Sequence, residues 1–210
     1  MSETGRSWAA GWAVSRRVPA PVEVPWGLRI EVGQPTQVVR HIVLDTGEDV
    51  ARGLVGSVTE PTTCVKAFVP EAEMEPWFPS GWHPLDPCFL MAVDLRPSRV
   101  RAPDGYTASV QTADGVASVR VLGPGGDLAA SGQAGLTDAA CVFDQIVTEP
   151  AYRRRGLGTV VMGALTDAAV ERGVTTGILG ATVEGRALYA TLGWKVLAPL
   201  TGFVYRPVAA

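Results

Sequence analysis

A glycine- and arginine-rich stretch between a strand pattern and a helical pattern is the part of this sequence best suited to chemistry. It runs from Arg153 to Thr159 as Arg-Arg-Arg-Gly-Leu-Gly-Thr. The two glycines lack side chains, so a ligand can come close to the backbone. The helix that follows offers unpaired N–H groups and the positive end of its dipole, and the arginines add positive charge. Together these features predict a receptacle for a phosphate or pyrophosphate group.

Two common phosphate-binding motifs fit this stretch poorly. A Walker A loop needs Gly-Lys-Ser/Thr after four variable residues, and that sequence is missing here. A dinucleotide fingerprint needs a third glycine, where this chain has Val161, and it opens a βαβ unit. A phosphate-binding protein of another class stays open as an alternative, which tight binding of ATP would support.

A second pattern lies downstream, where Leu188-Tyr189 is followed by Leu192-Gly193-Trp194. With Arg153, Gly156 and Gly158, which match the pattern Gln/Arg-x-x-Gly-x-Gly/Ala, the chain resembles the GNAT superfamily of N-acetyltransferases over about residues 128–206. The resemblance implies an α+β fold with a mixed, mostly antiparallel twisted sheet flanked by helices, plus an N-terminal extension. It also implies that acetyl-CoA is the cosubstrate and that its acetyl group passes directly to a primary amine.

The resemblance assigns roles to individual residues. Backbone N–H groups from Arg154 to Thr159 would hold the pyrophosphate of coenzyme A, and main-chain groups around Ile146 to Thr148 would pair with the pantetheine arm where two strands splay apart. The implied cofactor-binding residues are Ile146, Val147, Thr148, Arg153, Arg154, Arg155, Gly156, Leu157, Gly158 and Thr159. Tyr189 would protonate the leaving thiolate, since a phenol with a pKa of about 10 is protonated at neutral pH. The alternative is that Tyr189 is only a core aromatic.

The general base is harder to identify from sequence. Asp144 lies in the otherwise apolar strand pattern 140–148, where a charged residue needs a reason to be. We expect it to accept the proton of the incoming ammonium, directly or through a water. The alternative is that it faces solvent or pairs with an arginine. Glu184 and His83 are weaker candidates.

Regular elements must position these residues. Strand patterns at 106–112, 116–122, 128–136 and 140–148 predict an antiparallel meander, with a hairpin at Asp114-Gly115. After Pro150, helical spacing runs to Gly173, and a strand, a second helix ending at Gly193 and two closing strands follow. We therefore divide the chain into an acetyl-CoA-binding catalytic core, residues 98–210, and an N-terminal extension or cap, residues 1–97.

The extension departs from the family pattern. The family places two helices between its first two strands, and here only two residues separate the strands at 106–112 and 116–122. Either those helices are missing or the first strand lies upstream, and the first 95 residues would then supply the missing wall. The stretch 70–88 contains five prolines, which argue against both helix and sheet. We expect an ordered loop there, with residues 76–88 as a candidate lid.

Bulk properties exclude several classes. The chain has 210 residues and a net charge of −3, so it has no general attraction for nucleic acid or anionic membranes. Its three cysteines are scattered, which predicts reduced, mostly buried thiols, with neither a metal site nor an acetyl-cysteine relay. With no signal peptide and no run of ~18 apolar residues, we expect a cytoplasmic protein. The edges of the closing strands leave a homodimer open as an alternative to a monomer. A non-catalytic acetyl-CoA sensor or interaction module of the same fold is the second functional hypothesis.

Overall fold

The computed structural model describes residues 1–44 and 47–207. Within these ranges the helices are α1 (Ser2–Arg16), α2 (Glu48–Ser57), α3 (Glu71–Met74), α4 (Leu157–Val170) and α5 (Val183–Thr191). The strands are β1 (Val22–Val24), β2 (Gly27–Gln34), β3 (Gln37–Val43), β4 (Cys64–Ala67), β5 (Trp82–Pro84), β6 (Cys88–Asp94), β7 (Thr107–Ala113), β8 (Val116–Leu122), β9 (Leu128–Leu136), β10 (Cys141–Thr148), β11 (Thr176–Thr182), β12 (Lys195–Pro199) and β13 (Thr201–Tyr205). None of these helices is long and apolar enough to cross a lipid bilayer.

The larger sheet has the strand order β12-β6-β11-β10-β9-β8-β7. The meander from β7 to β10 is antiparallel, and the hairpin turn falls at Asp114 and Gly115, which both have positive φ. Strands β10 and β11 pair in parallel, while β6 pairs antiparallel with both β11 and β12. The predicted α+β class, the mostly antiparallel pairing and the flanking helices are confirmed.

The first half of the chain builds a second sheet instead of only extending the first. Its order is β1-β2-β3-β4-β13-β5, with one parallel pair, β3 and β4. The two sheets exchange strands: β6 lies inside the larger sheet, and β13 lies inside the smaller one. Strands therefore cross the predicted boundary at residue 97 in both directions, and the division into extension and core stays a prediction.

Helix α1 packs between the two sheets. Its residues Trp8 and Trp12, one turn apart, are both buried in a core that also takes residues from β2, β3, β6, β10 and β11. The helix lies so close to β9 that a Cβ on Gly135 would clash with the carbonyl oxygen of Gly11 and lie 2.8 Å from the nitrogen of Ser15. Glycine at both positions is what allows this backbone approach. The helix is longer than the predicted Trp8–Arg16, and it extends to Ser2.

The proline-rich stretch is more regular than predicted. It contains α3, a 3-10 turn at Glu75–Trp77 and β5, each placed where proline does no harm. Pro70 precedes the first helical residue, Pro76 lies at the start of the 3-10 turn, and Pro84 ends an edge strand. Phe78 stacks on Phe203 of β13 at 4.2 Å between ring centroids, which holds the segment on the smaller sheet.

Candidate functional site

Strands β10 and β11 separate after three paired residues. Their pairs run from Cys141 opposite Gly177 to Phe143 opposite Leu179, although both strands continue further. A bulge in β10 causes the separation: the register against β9 shifts between Asp144 and Val147, and Gln145 has a φ of 54°. Bulges bend a strand and increase its twist. The sheet therefore opens into a wedge at the predicted position.

The wedge leads into a cleft of about 710 Å³, which is within the usual range for small-ligand sites. It brings together the predicted residues Ile146, Val147, Thr148, Arg153, Arg154, Gly156, Leu157, Gly158, Thr159, Asp144 and Tyr189. Arg155, also predicted, is not among its lining residues, and neither is any residue of the candidate lid 76–88. The lid prediction is wrong, because β5 is paired with β13 on the other sheet.

The loop before α4 has the geometry expected of an anion site. Gly156 caps the helix with a φ of 74°, and nothing lies within 4 Å of the position of a Cβ there. That conformation is costly for other residues, and the open space leaves the backbone accessible to a ligand. Gly158 instead contacts the neighbouring helix, since its Cβ would lie 3.2 Å from Leu188. The first turn of α4 has no acidic residue to compete with a phosphate.

Two of the three arginines of this loop make hydrogen bonds, to different parts of the structure. The Arg153 Nε donates to the carbonyl oxygen of Thr148 at 3.3 Å, which ties the loop to the end of β10. The Arg155 guanidinium donates to Tyr106 Oη at 2.8 Å and to the Ala151 carbonyl at 3.2 Å. Arg155 therefore braces the loop against the start of β7, and only its backbone remains a candidate for binding phosphate.

Tyr189 lies on α5, which begins beyond the end of β11. The Thr182 hydroxyl caps this helix by accepting a hydrogen bond from Gly185 N at 3.1 Å. Tyr189 is 8% exposed, lines the cleft, and packs near Trp194 with ring centroids 6.1 Å apart. Burial, with a smaller contribution from the charge of Asp144, raises the pKa of Tyr189 to about 12. The phenol therefore remains protonated at any physiological pH.

Asp144 lies in the cleft, and its carboxylate is fully engaged. Oδ2 accepts hydrogen bonds from Ser15 Oγ and from Arg16 Nε, while Oδ1 accepts from Arg16 Nη2 at 3.0 Å and from the backbone N of Gln145 at 3.0 Å. A carboxylate offers about four lone-pair sites, so these four donors occupy them all. Of the two alternatives left open by the sequence, the structure shows pairing with an arginine.

Arg16 is the charged cleft residue that the sequence analysis missed. It stands at the end of α1, about 130 positions from its partner, and no motif links the two positions. Ser15 is held by Gln133, whose Nε2 donates to the Ser15 carbonyl at 2.7 Å. Residues from the N-terminal part thus do supply a wall of the cleft, through α1. Among the weaker candidates for the base, Glu184 lines the cleft, whereas His83 is exposed on β5 outside it.

The cysteines take no visible part in the site. All three are free thiols, with Cys64 and Cys141 buried and Cys88 half-buried. Burial raises the pKa of the Cys141 thiol to about 12, so this thiol is neutral and a poor nucleophile. None of the three lines the cleft.

Comparison with known proteins places the fold. Residues 105–194 match the model of the acetyltransferase (GNAT) family. The chain is similar to a GCN5-related N-acetyltransferase from Kribbella flavida, with a TM-score of 0.71, 15% identity and coverage of 98% of this chain and 96% of that one. It is also similar to a GCN5-related N-acetyltransferase from Sphaerobacter thermophilus, with a TM-score of 0.61, 13% identity and coverage of 90% and 77%. At these identities the likeness shows the fold alone. No protein of curated function has a significantly similar sequence.

Proposed function

We propose that the protein is an N-acetyltransferase that uses acetyl-CoA and a primary amine, on the premise that residues 105–194, which match the model of the acetyltransferase (GNAT) family, act as a domain of that family. One observation carries the proposal. The glycine-rich start of α4 and the protonated phenol of Tyr189 line the same cleft, at the point where β10 and β11 separate. The helix start can hold the anionic cosubstrate, and the phenol can protonate the thiolate that leaves when an amine attacks the thioester.

The cleft fits the proposed cosubstrate. The loop from Arg154 to Thr159 offers backbone N–H groups and a helix dipole to a pyrophosphate. The unpaired stretch of β10 from Ile146 to Thr148 leaves main-chain groups free of a β11 partner, ready to pair with an amide-containing arm. When bound, acetyl-CoA supplies an acetyl thioester that an amine can attack.

Tyr189 acts as the general acid in this proposal. Its Oη holds a proton throughout the physiological pH range because the pKa is about 12. A thiolate leaving group can take that proton as the bond to sulfur breaks. Within the described residues, no group hydrogen-bonds to this hydroxyl, so it is available to a ligand in the cleft.

Asp144 positions Arg16 in this proposal and does not take the proton of the amine. Its four hydrogen-bond donors leave no lone pair for a proton, which argues against the base role predicted from sequence. The amine then loses its proton to solvent before it attacks, and kcat/KM rises with pH up to the pKa of the amine itself. A base role for Asp144 would instead make D144N at least a hundredfold slower near neutral pH, with recovery at high pH.

The test is a coupled pair of measurements on the full chain. Calorimetry with acetyl-CoA measures binding of the cosubstrate, and release of free thiol in the presence of a panel of amines measures turnover. We expect acetyl-CoA to bind and ATP not to bind. Absence of acetyl-CoA uptake by the folded protein would overturn the proposal, and tight ATP binding alone would favour a phosphate-binding protein of another class.

A non-catalytic acetyl-CoA sensor is the second candidate, and the saturated carboxylate of Asp144 favours it. Both candidates predict acetyl-CoA binding, but only the enzyme releases thiol when an amine is added. Acetyl-CoA binding without amine-dependent thiol release, across small amines, amino acids and peptides, would support the sensor.

A further inference from the structure

Two cations lie buried between the sheets, beside the cleft. Arg40 of β3 and Lys66 of β4 are each 8% exposed. Side chains alternate between the two faces of a strand, so Arg40 lies on the same face as Ile42, two residues along β3, which belongs to the inter-sheet core. Lys66 pairs with Ile42 and lies on that face too, so both cations face α1. Among the residues that the structure describes, no carboxylate forms an ion pair with either of them. Burying a cation without a counter-ion is costly, so these two need an explanation.

The guanidinium of Arg40 is only partly satisfied. Its Nη2 donates to Gln37 Oε1 at 2.8 Å, and its central carbon lies 3.6 Å from the centroid of the Trp12 ring. Its Nε is fully buried and has no hydrogen-bond partner. Burial lowers the pKa of Arg40 to about 10, and burial also lowers the pKa of Lys66. An unpartnered N–H on a buried cation is a place for an anionic oxygen.

This pair of cations is connected to the cleft from two sides. Arg16, which lines the cleft, lies 5.5 Å from the same Trp12 ring that Arg40 covers. The charges of Arg16 and Asp144 both act on the pKa of Arg40. On the other side, Cys88 acts on the pKa of both buried cations. Cys88 also pairs across the sheet with Thr182, which lines the cleft.

Arg16 lies on the face of the larger sheet where an acceptor would meet the cosubstrate, whereas Arg40 and Lys66 lie on β3 and β4 of the smaller sheet and do not line the cleft. Val142 and Ile178 belong to the inter-sheet core, so Asp144 and Gly180, two residues further along each strand, point the same way. Arg16 is paired with Asp144 on this face, whereas the charges of Arg40 and Lys66 are not paired with any carboxylate among the described residues. An anion brought by the ligand would balance the charge, and a bare ammonium would be repelled.

We propose that Arg16, Arg40 and Lys66 form an anion subsite, so that the amine acetylated by this protein also carries a carboxylate or phosphate group. The inference rests on the proposed acetyl transfer. Arg16, which lines the cleft at the end of α1, contacts the anionic group, the buried charges of Arg40 and Lys66 add to the positive field there, and the amine is directed toward the separation of β10 and β11. The same positive field favours the neutral, nucleophilic form of the amine over its ammonium.

The test compares matched acceptors that differ in the anion. The pairs are L-alanine and ethylamine, L-phenylalanine and 2-phenylethylamine, and phosphoethanolamine and ethanolamine. We expect kcat/KM at least tenfold higher for the anionic member of one pair, and the pair that shows it separates carboxylate from phosphate. In a second assay, CoA-saturated protein is titrated with N-acetyl-L-phenylalanine, N-acetyl-2-phenylethylamine and N-acetylphosphoethanolamine by calorimetry.

Three variants locate the preference. Arg16→Gln and Lys66→Met each reduce the ratio of the paired kcat/KM values, or of the paired affinities, at least fivefold. Lys66→Met keeps the length and packing of the side chain, and thermal unfolding confirms the fold of each variant. Arg6→Gln is the matched control, because Arg6 is also an ion-paired, half-exposed arginine of α1 but pairs with Glu23, away from the cleft.

The two proposals fail separately. Acetyl-CoA binding and turnover with equal values for all three pairs would overturn the anion subsite and leave the acetyltransferase standing. Without turnover, the calorimetric arm still decides, since equal affinity for the anionic and neutral N-acetyl compounds overturns the subsite. An anion preference that survives both Arg16→Gln and Lys66→Met would also overturn it.

Discussion

Substitution of Tyr189 by phenylalanine removes one hydroxyl and keeps the packing of the ring. The tyrosine is 8% exposed and packs near Trp194, so the variant should fold normally. A phenol with a pKa of about 12 is a weak acid for a thiolate, whose conjugate thiol has a pKa of about 8.5. Because this proton transfer is uphill, we expect a loss at the low end of general acid catalysis, about a hundredfold in kcat or about 2.7 kcal/mol.

The assay is steady-state release of free thiol at saturating amine, with calorimetry of acetyl-CoA binding alongside it. The KM and the affinity for acetyl-CoA should change by less than about threefold, since only an interaction made during bond breaking is lost. The native protein should show no fall in kcat near pH 10, because the phenol does not ionise there. A variant with kcat within about threefold of the native value would refute the acid role, and a loss confined to KM would assign Tyr189 to binding.

Three further perturbations probe the loop, the smaller sheet and the docking of α1. Gly156→Ala should lower acetyl-CoA affinity at least tenfold by calorimetry. The matched control is Gly173→Ala, at a position beyond the other end of α4 with φ of 79° and equally open surroundings, which should cost a similar ~1–2 kcal/mol of stability without changing the affinity. Equal affinities of the two variants for acetyl-CoA would contradict the loop assignment. His41 is buried and accepts a hydrogen bond from Trp26 Nε1. Burial and, to a smaller extent, the charge of Arg29 lower the pKa of His41 from 6.5 to about 4. The folded state therefore binds this proton less tightly than the unfolded state, so the free energy of unfolding is full above pH 6.5 and falls by ~3 kcal/mol as the pH drops toward 4. In His41→Asn, urea unfolding across this pH window should show that dependence reduced, and an unchanged slope would refute it. Gly135→Ala should destabilise the protein by several times the ~1 kcal/mol typical of point mutations and lower its activity, because the added Cβ displaces the backbone of α1 and with it Arg16. Chemical unfolding measures the loss of stability, and a variant as stable as the wild type would contradict the close packing.

Local patterns predicted what local residues determine. The meander, the loop before α4 and the C-terminal end of α5 follow from hairpin signals, glycines and helical spacing within a few residues of each other. The wedge at Ile146 to Thr148 and the position of Tyr189 in the same cleft came from the family resemblance, whose two motifs lie on the elements that line it.

Contacts between distant parts of the chain were not predictable in this way. The engagement of Asp144 by Ser15 and Arg16 depends on α1 docking against β9, and the glycines that permit it, Gly11 and Gly135, carry no recognisable motif. The second sheet was missed because its completion needs β13, which pairs with β4 more than 130 residues away. The proline-rich segment was misread because edge strands tolerate proline, and a sequence alone does not reveal which strand is an edge.

The exchange of β6 and β13 between the sheets limits how far the protein can fold during its synthesis on the ribosome. The final strand emerges only when residue 205 has left the exit tunnel, and until then β4 has no partner on one side and β5 has none at all. Neither half can mature ahead of the other, since β6 must likewise wait for β11 and β12. We expect nascent chains arrested before β13 to be protease-sensitive throughout, and native resistance to arise in one late step rather than domain by domain.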